Sequence, residues 1–537
     1  MKRRLTTILA LMLSIISTTQ AQDFESAKNA VKNMGVGWNL GNTLDACSGG
    51  AQGLESETYW GQPVTKPELM KMMKEAGFST IRVPVTWYNH MDADGKVDEA
   101  WMKRVHEVVD YVIKQDLYCI VNVHHDTGDG SQWLHASTTT YNKVKTKFEY
   151  LWKQIASEFK DYDQKLLFES YNEMLDDNNR WNEPATDDGY KAINSYAKSF
   201  VTTVRNTGGN NKNRNLVVNV YSASSTPNAM KALELPENSG HIIFQMHTYP
   251  NWQNETNAKR EIDNLMSNIK SNLLNRAPVI IGEYATFTTW PSTIDYYDTN
   301  RQVALYAMDY LVKQAKAAGI ATFYWMGLSD GIYRSEPAFN QADLAQTLIK
   351  AYYGSTDGYI FPTHDSSKET VVFEGQKVLE WGQGVTVQSS FLVDAGSNVE
   401  VKLTYKLDFT DYDDIQFMYN KGGWTKIPDG LSIDGVAFSG ADFSASGFYG
   451  ISSGDTKTST LTFDAAAYEL VSKNDLVIQG HGVIVNKVTV GSPGASSIRP
   501  TVVDGINATT IYNLQGQRIN TPKKGIYIRN GQKYIAK

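Results

Sequence analysis

Two glutamates stand out for where they fall along the chain. Glu173 follows the apolar run Leu166–Asn172 and Glu283 ends the run Pro278–Glu283, so each carboxyl group is delivered by a stretch of aliphatic and aromatic residues. Desolvation and neighbouring charges shift the ionisation of such groups, and a pair can divide labour between a neutral acid and an ionised partner. Cleavage of a glycosidic bond uses such a division: one carboxyl protonates the departing oxygen while the other attacks carbon or orients water. Other apolar runs also end in polar or aromatic groups, namely Asn39, Arg82, His124 with His125, Asn172, His247 with Tyr249, and Trp325. Arg82 brings a permanent charge suited to keeping Glu283 ionised. Asn172 is a donor for a sugar 2-hydroxyl, and His247 and Tyr249 can hydrogen-bond between the two glutamates.

Eight runs must position these groups: Gly35–Leu40, Thr80–Val85, Tyr118–His124, Leu166–Asn172, Asn215–Tyr221, His241–His247, Pro278–Glu283 and Ile320–Met326. Most are continuously apolar rather than alternating, as strands covered on both faces are. Between them lie helical patterns such as Glu99–Gln115, Tyr141–Lys160 and Asn300–Ala318, several stopped by a glycine (Gly77, Gly208, Gly319). The alternation predicts an α/β chain with a closed (β/α)8 barrel over residues 22–355. A doubly wound open sheet is the alternative, but no Gly-rich phosphate loop follows the first run. Active sites of such barrels gather at the C-terminal ends of the strands, where the polar residues above fall. Strand five is expected to end in Ser222.

Beyond Tyr353 helical periodicity is lost. Short alternating strands such as Val399–Leu407 and Ile415–Tyr419 predict an all-β sandwich over 366–492, with Trp381, Trp424, Tyr412 and Tyr419 as candidate sugar-stacking residues. Gly491–Ser497 reads as a linker. The segment 498–537 carries two small hairpin-like stretches, Ile511–Gln517 and Gly525–Gly531. At the other end, Lys2, Arg3 and Arg4 precede the apolar run Ile8–Ile16 and Ala21, the pattern of a secretory signal over residues 1–21.

The chain has 537 residues, enough for two or three domains, and a net charge of −7 that argues against nucleic-acid partners. No later run is long enough to span a membrane. The two cysteines, Cys47 and Cys119, read as free thiols. No cofactor is called for, and a monomer is expected. Twelve Trp and 30 Tyr suit a protein that stacks on sugar faces, although aromatics also fill cores.

The motifs then become specific. Gly37–Asp45 (GWNLGNTLD), Ile81–Pro84 (IRVP), Val123–Asp126 (VHHD), Tyr171–Glu173 (YNE), His247–Tyr249 (HTY) and Ile281–Tyr284 (IGEY) together resemble glycoside hydrolase family 5. The opening motif with Glu57–Gly61 (ETYWG) is similar to the endoglucanase and xyloglucanase branch. The resemblance covers residues 25–353 and implies a retaining double displacement, with Glu173 as acid/base and Glu283 as nucleophile. Arg82, His124, Asn172, His247, Tyr249 and Asn39 then form the supporting shell, and Trp325 is a platform in the −1 subsite. Met174 stands where the family usually has proline, which implies a different loop exit. The tail resembles C-terminal sorting segments of exported Bacteroidetes proteins, so a secreted or cell-surface enzyme is expected. The expected partner is a β-linked polysaccharide: cellulose, mixed-linkage β-glucan or xyloglucan, with mannan behind them.

Competing readings are weaker. Glu169 could replace Glu173 as the acid, but its deeper position suits a partner for Arg82. His124, His125 and Asp126 suggest a metal, yet adjacent strand histidines should face apart. Ser222 and Ser224 lack a nucleophile elbow. A non-catalytic glycan-binding protein on a decayed barrel is the rival from another class. Trp60, Trp133, Trp181, Trp252 and Trp290 are candidate platforms at distal subsites.

Overall fold

The computed structural model describes residues 24–492 apart from 49, 132, 289–293, 364–368 and 439–441, together with four short strands beyond residue 510. The signal segment 1–21, Trp290, residues 493–497 of the linker and residues 498–510 of the tail lie outside the described residues. Two compact units meet in sequence between Asp365 and Ser366.

The first unit is built on β1 (Val36–Asn39), β2 (Thr80–Val83), β3 (Tyr118–Asn122), β4 (Leu166–Glu169), β5 (Leu216–Asn219), β6 (Ile242–Thr248) and β7 (Val279–Tyr284). A small hairpin of β8 (Phe287–Thr288) and β9 (Ile294–Asp295) follows, and then β10 (Ala321–Tyr324). Strands β1–β7 and β10 form a closed barrel in the order β1-β10-β7-β6-β5-β4-β3-β2, every pairing parallel. These are the eight apolar runs of the sequence. Strand five ends at Asn219, however, and Ser222 lies in a tight turn with φ of 55°.

The runs are apolar throughout because side chains on both faces are buried. Outward-facing Cys119, Val121, Phe168, Val218, Phe244 and Ile281 pack with Val105, Trp152, Phe200 and Leu311 of the surrounding helices. Inward-facing Ile120, Leu167, Val217, Ile243, Ile280, Ala321 and Phe323 form a separate cluster. Ala27, Val31 and Met34 of the helix Ala27–Met34 join that inner cluster. Side chains alternate along a strand with a period of two, so the next inward positions fall two residues further along. There the barrel turns polar: Asn39, Arg82, Asn122, Glu169, Asn219 and Gln245 are all buried. An apolar layer thus underlies a polar one, and the site rests on both.

The second unit contains two antiparallel sheets. One runs Thr370–Val378, Val483–Gly491, Glu400–Leu407, Thr456–Phe463, Leu431–Ile433, Val436–Phe438 in spatial order. The other runs Gly384–Val387, Leu476–His481, Asp414–Asn420, Trp424–Lys426, with Asp442–Phe443 also on Asp414–Asn420. Three short helices, Ser389–Ala395, Ala445–Tyr449 and Ala465–Asn474, were not expected here. Ala465–Asn474 is capped by Asp464, whose side chain accepts from Ala467 N at 2.9 Å, but it is too short to show a clear helical period. Gly491 belongs to the strand Val483–Gly491 rather than to a linker. The tail strands Ile511–Tyr512, Arg518–Ile519, Gly525–Arg529 and Gln532–Ala536 make a four-stranded antiparallel sheet. Cys47 and Cys119 are free thiols, and among the described residues no helix is long and apolar enough to cross a membrane.

Gly37 shows how tightly the barrel is filled. A Cβ there would lie 2.6 Å from the Thr80 carbonyl oxygen and 2.5 Å from the Phe323 ring. Gly37→Ala should therefore lower unfolding stability by about 1–3 kcal/mol through overpacking. An unchanged denaturant midpoint would show that the inner layer can relax around a methyl group.

Candidate active site

Arg82 stands at the centre of the polar layer with all of its N–H donors engaged. Its Nε and one terminal nitrogen grip the two Glu169 oxygens, each at 2.7 Å. The same terminal nitrogen donates to Asn172 Oδ1 at 2.9 Å. The other donates to Asn39 Oδ1 at 2.9 Å and to Glu283 Oε1 at 2.7 Å. Burial alone would push the Glu169 carboxyl up, but the Arg82 guanidinium overrides it and holds the group below its ordinary value. Asn122 and Asn219 also donate to Glu169 Oε1, at 3.1 and 3.2 Å. Glu169 is thereby the ion-pair partner of Arg82 and lies beneath the rim. Asn39 fixes the layer to the backbone, its Nδ2 donating to Gly282 O at 2.9 Å and Phe323 O at 3.2 Å.

The two glutamates of the sequence pattern come together above this layer. Glu283 on β7 accepts from Arg82 at one oxygen and from the Tyr249 hydroxyl at the other, at 2.7 Å. Glu173, four residues past the end of β4, places Oε1 2.8 Å from His247 Nδ1. The same nitrogen is 3.5 Å from Glu283 Oε2. One oxygen of each glutamate and one His247 nitrogen all lie within 4.8 Å of one another. A shift of register between Met246 and His247 brings His247 opposite Glu283.

Electrostatics separate the two carboxyl groups. Burial pushes Glu173 up to about 7, against the pull of Arg82. The His247 imidazole is pushed down by burial to about 4, so it is neutral at physiological pH. Burial and the adjacent glutamates raise the Tyr249 hydroxyl well above its ordinary value, which keeps it a donor. Glu173, raised by burial, and Glu283, held by two donors, therefore face each other across one neutral imidazole. Such a pair can protonate one atom and attack its neighbour.

The rim supplies a platform. The Trp325 indole lies parallel to His124, ring centres 5.6 Å apart and planes within 4°. Gly41 leaves room for it, since a Cβ there would stand 2.9 Å from the indole. Asn172 Nδ2 lies 3.4 Å from His124 Nε2, which keeps that amide at the site. His124 and His125 do not face apart. The chain has left β3 at Asn122, their rings meet edge-on at 4.5 Å, and with Asp45 their ligand atoms fall within 4.8 Å of one another. Both Asp45 oxygens already accept backbone N–H groups, from Asn42 at 3.1 Å and Thr43 at 2.9 Å.

The candidate platforms sort by burial. Trp60, edge-on to His125 at 5.1 Å, and Trp181, whose Nε1 donates to Asp129 Oδ2 at 3.1 Å, are exposed. Trp133 is half-buried and donates to Asp126. Trp252 is fully buried and donates to Ala285 O at 3.3 Å, so it is a core residue and not a platform. The sequence reading missed Asn122, Asn219 and Gln245. Counting inward positions by twos from Ile120, Val217 and Ile243 would have found them.

Comparison with known proteins agrees with the barrel fold. The family model described as cellulase (glycosyl hydrolase family 5) matches residues 44–330. Endoglucanase A of Clostridium longisporum is 34% identical over 364 residues, covering 62% of this chain and 67% of that protein. Among solved structures, a broad-specificity endoglucanase from an uncultured bacterium is 51% identical with a TM-score of 0.60, covering 62% of this chain and 96% of that one. A family 5 glycoside hydrolase from Prevotella bryantii B14, solved as a mutant with a xyloglucan tetradecasaccharide, is 42% identical with a TM-score of 0.59, covering 61% and 99%. The chain belongs to glycosyl hydrolase family 5, the cellulase family, and is a glycoside hydrolase.

Proposed function

We propose that this chain is a secreted endo-β-1,4-glucanase that retains anomeric configuration, with Glu283 as nucleophile and Glu173 as acid/base. The observation that carries the reading is the spacing of the two carboxyl groups, an oxygen of each lying within 4.8 Å of the other. Inverting enzymes keep their carboxyl groups about 6.5–9.5 Å apart to admit water, whereas retaining ones sit at about 5–5.5 Å. In the first step a Glu283 oxygen bonds to the anomeric carbon as the glycosidic C–O bond breaks, and Glu173 gives its proton to the departing oxygen. In the second, Glu173 takes a proton from water as that water attacks the same carbon and Glu283 leaves. Arg82 and Tyr249 hold Glu283 for attack through one donor on each oxygen. Trp325 offers its face to the sugar ring in the −1 subsite, and Asn172 its amide to the 2-hydroxyl.

A backbone substituted with side chains is the second reading, because a relative 42% identical to this chain was solved with a xyloglucan oligosaccharide. Digesting carboxymethylcellulose, barley β-glucan, xyloglucan, glucomannan and xylan, with product lengths resolved, separates the two. Internal cuts in the unsubstituted glucans support the first reading. Cleavage confined to xyloglucan would replace it, and folded protein that binds glucan but cleaves none would be a binding protein.

The roles make distinct kinetic predictions. Glu283→Gln should lower turnover by roughly a thousandfold or more on every substrate, since no covalent intermediate can form. Glu173→Ala should lose about 10²–10⁴-fold on polysaccharide yet still release a good phenolate leaving group, which needs little protonation. Equal loss on both substrates by a folded Glu173→Ala protein would remove Glu173 from the acid role. The acid must carry its proton to act, so kcat/KM on polysaccharide should fall as pH rises through about 7, the value to which burial lifts Glu173. That alkaline limb should vanish in Glu173→Gln assayed on an activated aryl glycoside; its persistence there would assign it to another group.

A further inference from the structure

The second unit carries a sheet whose two faces differ in kind. In the sheet containing Asp414–Asn420, Ile415, Phe417, Ile478, Leu476, Val385 and Val387 share one face by register and are buried. The register puts Gln416 opposite Gln479, Met418 opposite Val477 and Lys426, and Asn420 opposite Trp424 on the other face. That face stays partly open. Asn420, Thr386 and Lys426 are exposed and Trp424 is 36% exposed, whereas Met418 and Val477 between them are buried.

Its polar groups are aimed rather than scattered. Gln479 Oε1 accepts from Gly382 N at 3.0 Å, tying down the turn that carries Trp381, which is 46% exposed. Gln479 Nε2 donates to Gln416 Oε1 at 3.1 Å, and this fixes the Gln416 amide with its NH2 group as the remaining donor. Strand spacing and rise put Trp381 and Trp424 at opposite edges, on the order of 15–20 Å apart. Exposed indoles at the two edges with the oriented Gln416 amide between them suit neutral pyranose rings, which offer an apolar face to stack and hydroxyls to bond.

We propose that this face is a second glycan site, taking a β-linked glucan chain several rings long between Trp381 and Trp424 with Gln416 hydrogen-bonding to its hydroxyls. The choice of glucan rests on the glucanase reading of the barrel; the stacking site itself does not. Full-length protein, Trp424→Ala, Trp381→Ala and Gln416→Ala should be run in native gels containing barley β-glucan, xyloglucan or polygalacturonate. Hydrolysis of an aryl cellobioside is measured on the same samples. The expected result is retardation by β-glucan that weakens at least fivefold in each variant, with aryl cellobioside hydrolysis within twofold of the parent and Trp424→Tyr restoring retardation. Unchanged retardation in both tryptophan variants, or retardation by polygalacturonate alone, overturns the proposal. A parent that hydrolyses no β-glucan but loses retardation on Trp424→Ala would sink the glucanase reading and leave the site standing. A variant with altered near-ultraviolet circular dichroism is set aside in favour of Trp424→Tyr and Gln416→Ala, whose unchanged retardation also counts against the site.

Discussion

The structure of the site depends on one buried cation. Taking Arg82 and two carboxylates out of water carries a desolvation penalty of several kcal/mol per ion, and it is offset only when the geometry is good and the remaining donors are satisfied. Here every N–H of Arg82 has an acceptor, and Glu169 draws further donors from Asn122 and Asn219. One cation is shared by Glu169 and Glu283. The third carboxyl, Glu173, meets burial first and the Glu169 and Asp129 charges besides, all opposing its ionisation, with Arg82 and His125 in its favour. The layer that grips Glu283 through two donors thus lies beside a glutamate that burial lifts to about 7.

The sequence reveals this arrangement unevenly. The barrel strands were legible because both faces of each are buried, which turns them into unbroken apolar runs such as Pro278–Ile281 and Asn215–Val218. Glu283 and Arg82 were legible because they interrupt such runs. The amides of the polar layer were harder to see, since Asn122 and Gln245 look like strand ends unless inward positions are counted by twos. Loop residues carried no period at all. Trp60 and Trp252 read alike in sequence, but one is exposed beside His125 and the other is sealed in the core. His124 and His125 were misjudged for a related reason: the strand rule was applied two residues beyond the last strand residue, Asn122, where the chain was already turning, as Thr127 N donating to His124 O at 3.1 Å shows. In the second unit the strands were visible by alternation, whereas a helix of the length of Ala445–Tyr449 offers barely one turn of pattern.

Glu173 poses a separate mechanical problem, because it does not belong to a strand. Its segment is clamped from both sides instead. Asn172 N donates to Val123 O at 2.9 Å on the β3 side, and Asn219 Nδ2 from β5 donates to Asn172 O at 3.2 Å. Immediately beyond, Met174 occupies the position where proline would fix φ by its ring. Met174 lacks that constraint, but its buried side chain packs in the core and its carbonyl accepts from Ser222 N at 3.1 Å. Ser222 makes this bond with φ at 55°, a left-handed conformation that a non-glycine residue adopts at a cost of order 1–3 kcal/mol. The turn after β5 thus holds a strained backbone directly against the carbonyl next to Glu173. The loop exit that differs from the family pattern at Met174 is held by tertiary contacts, so Glu173 stays within reach of His247 without the proline.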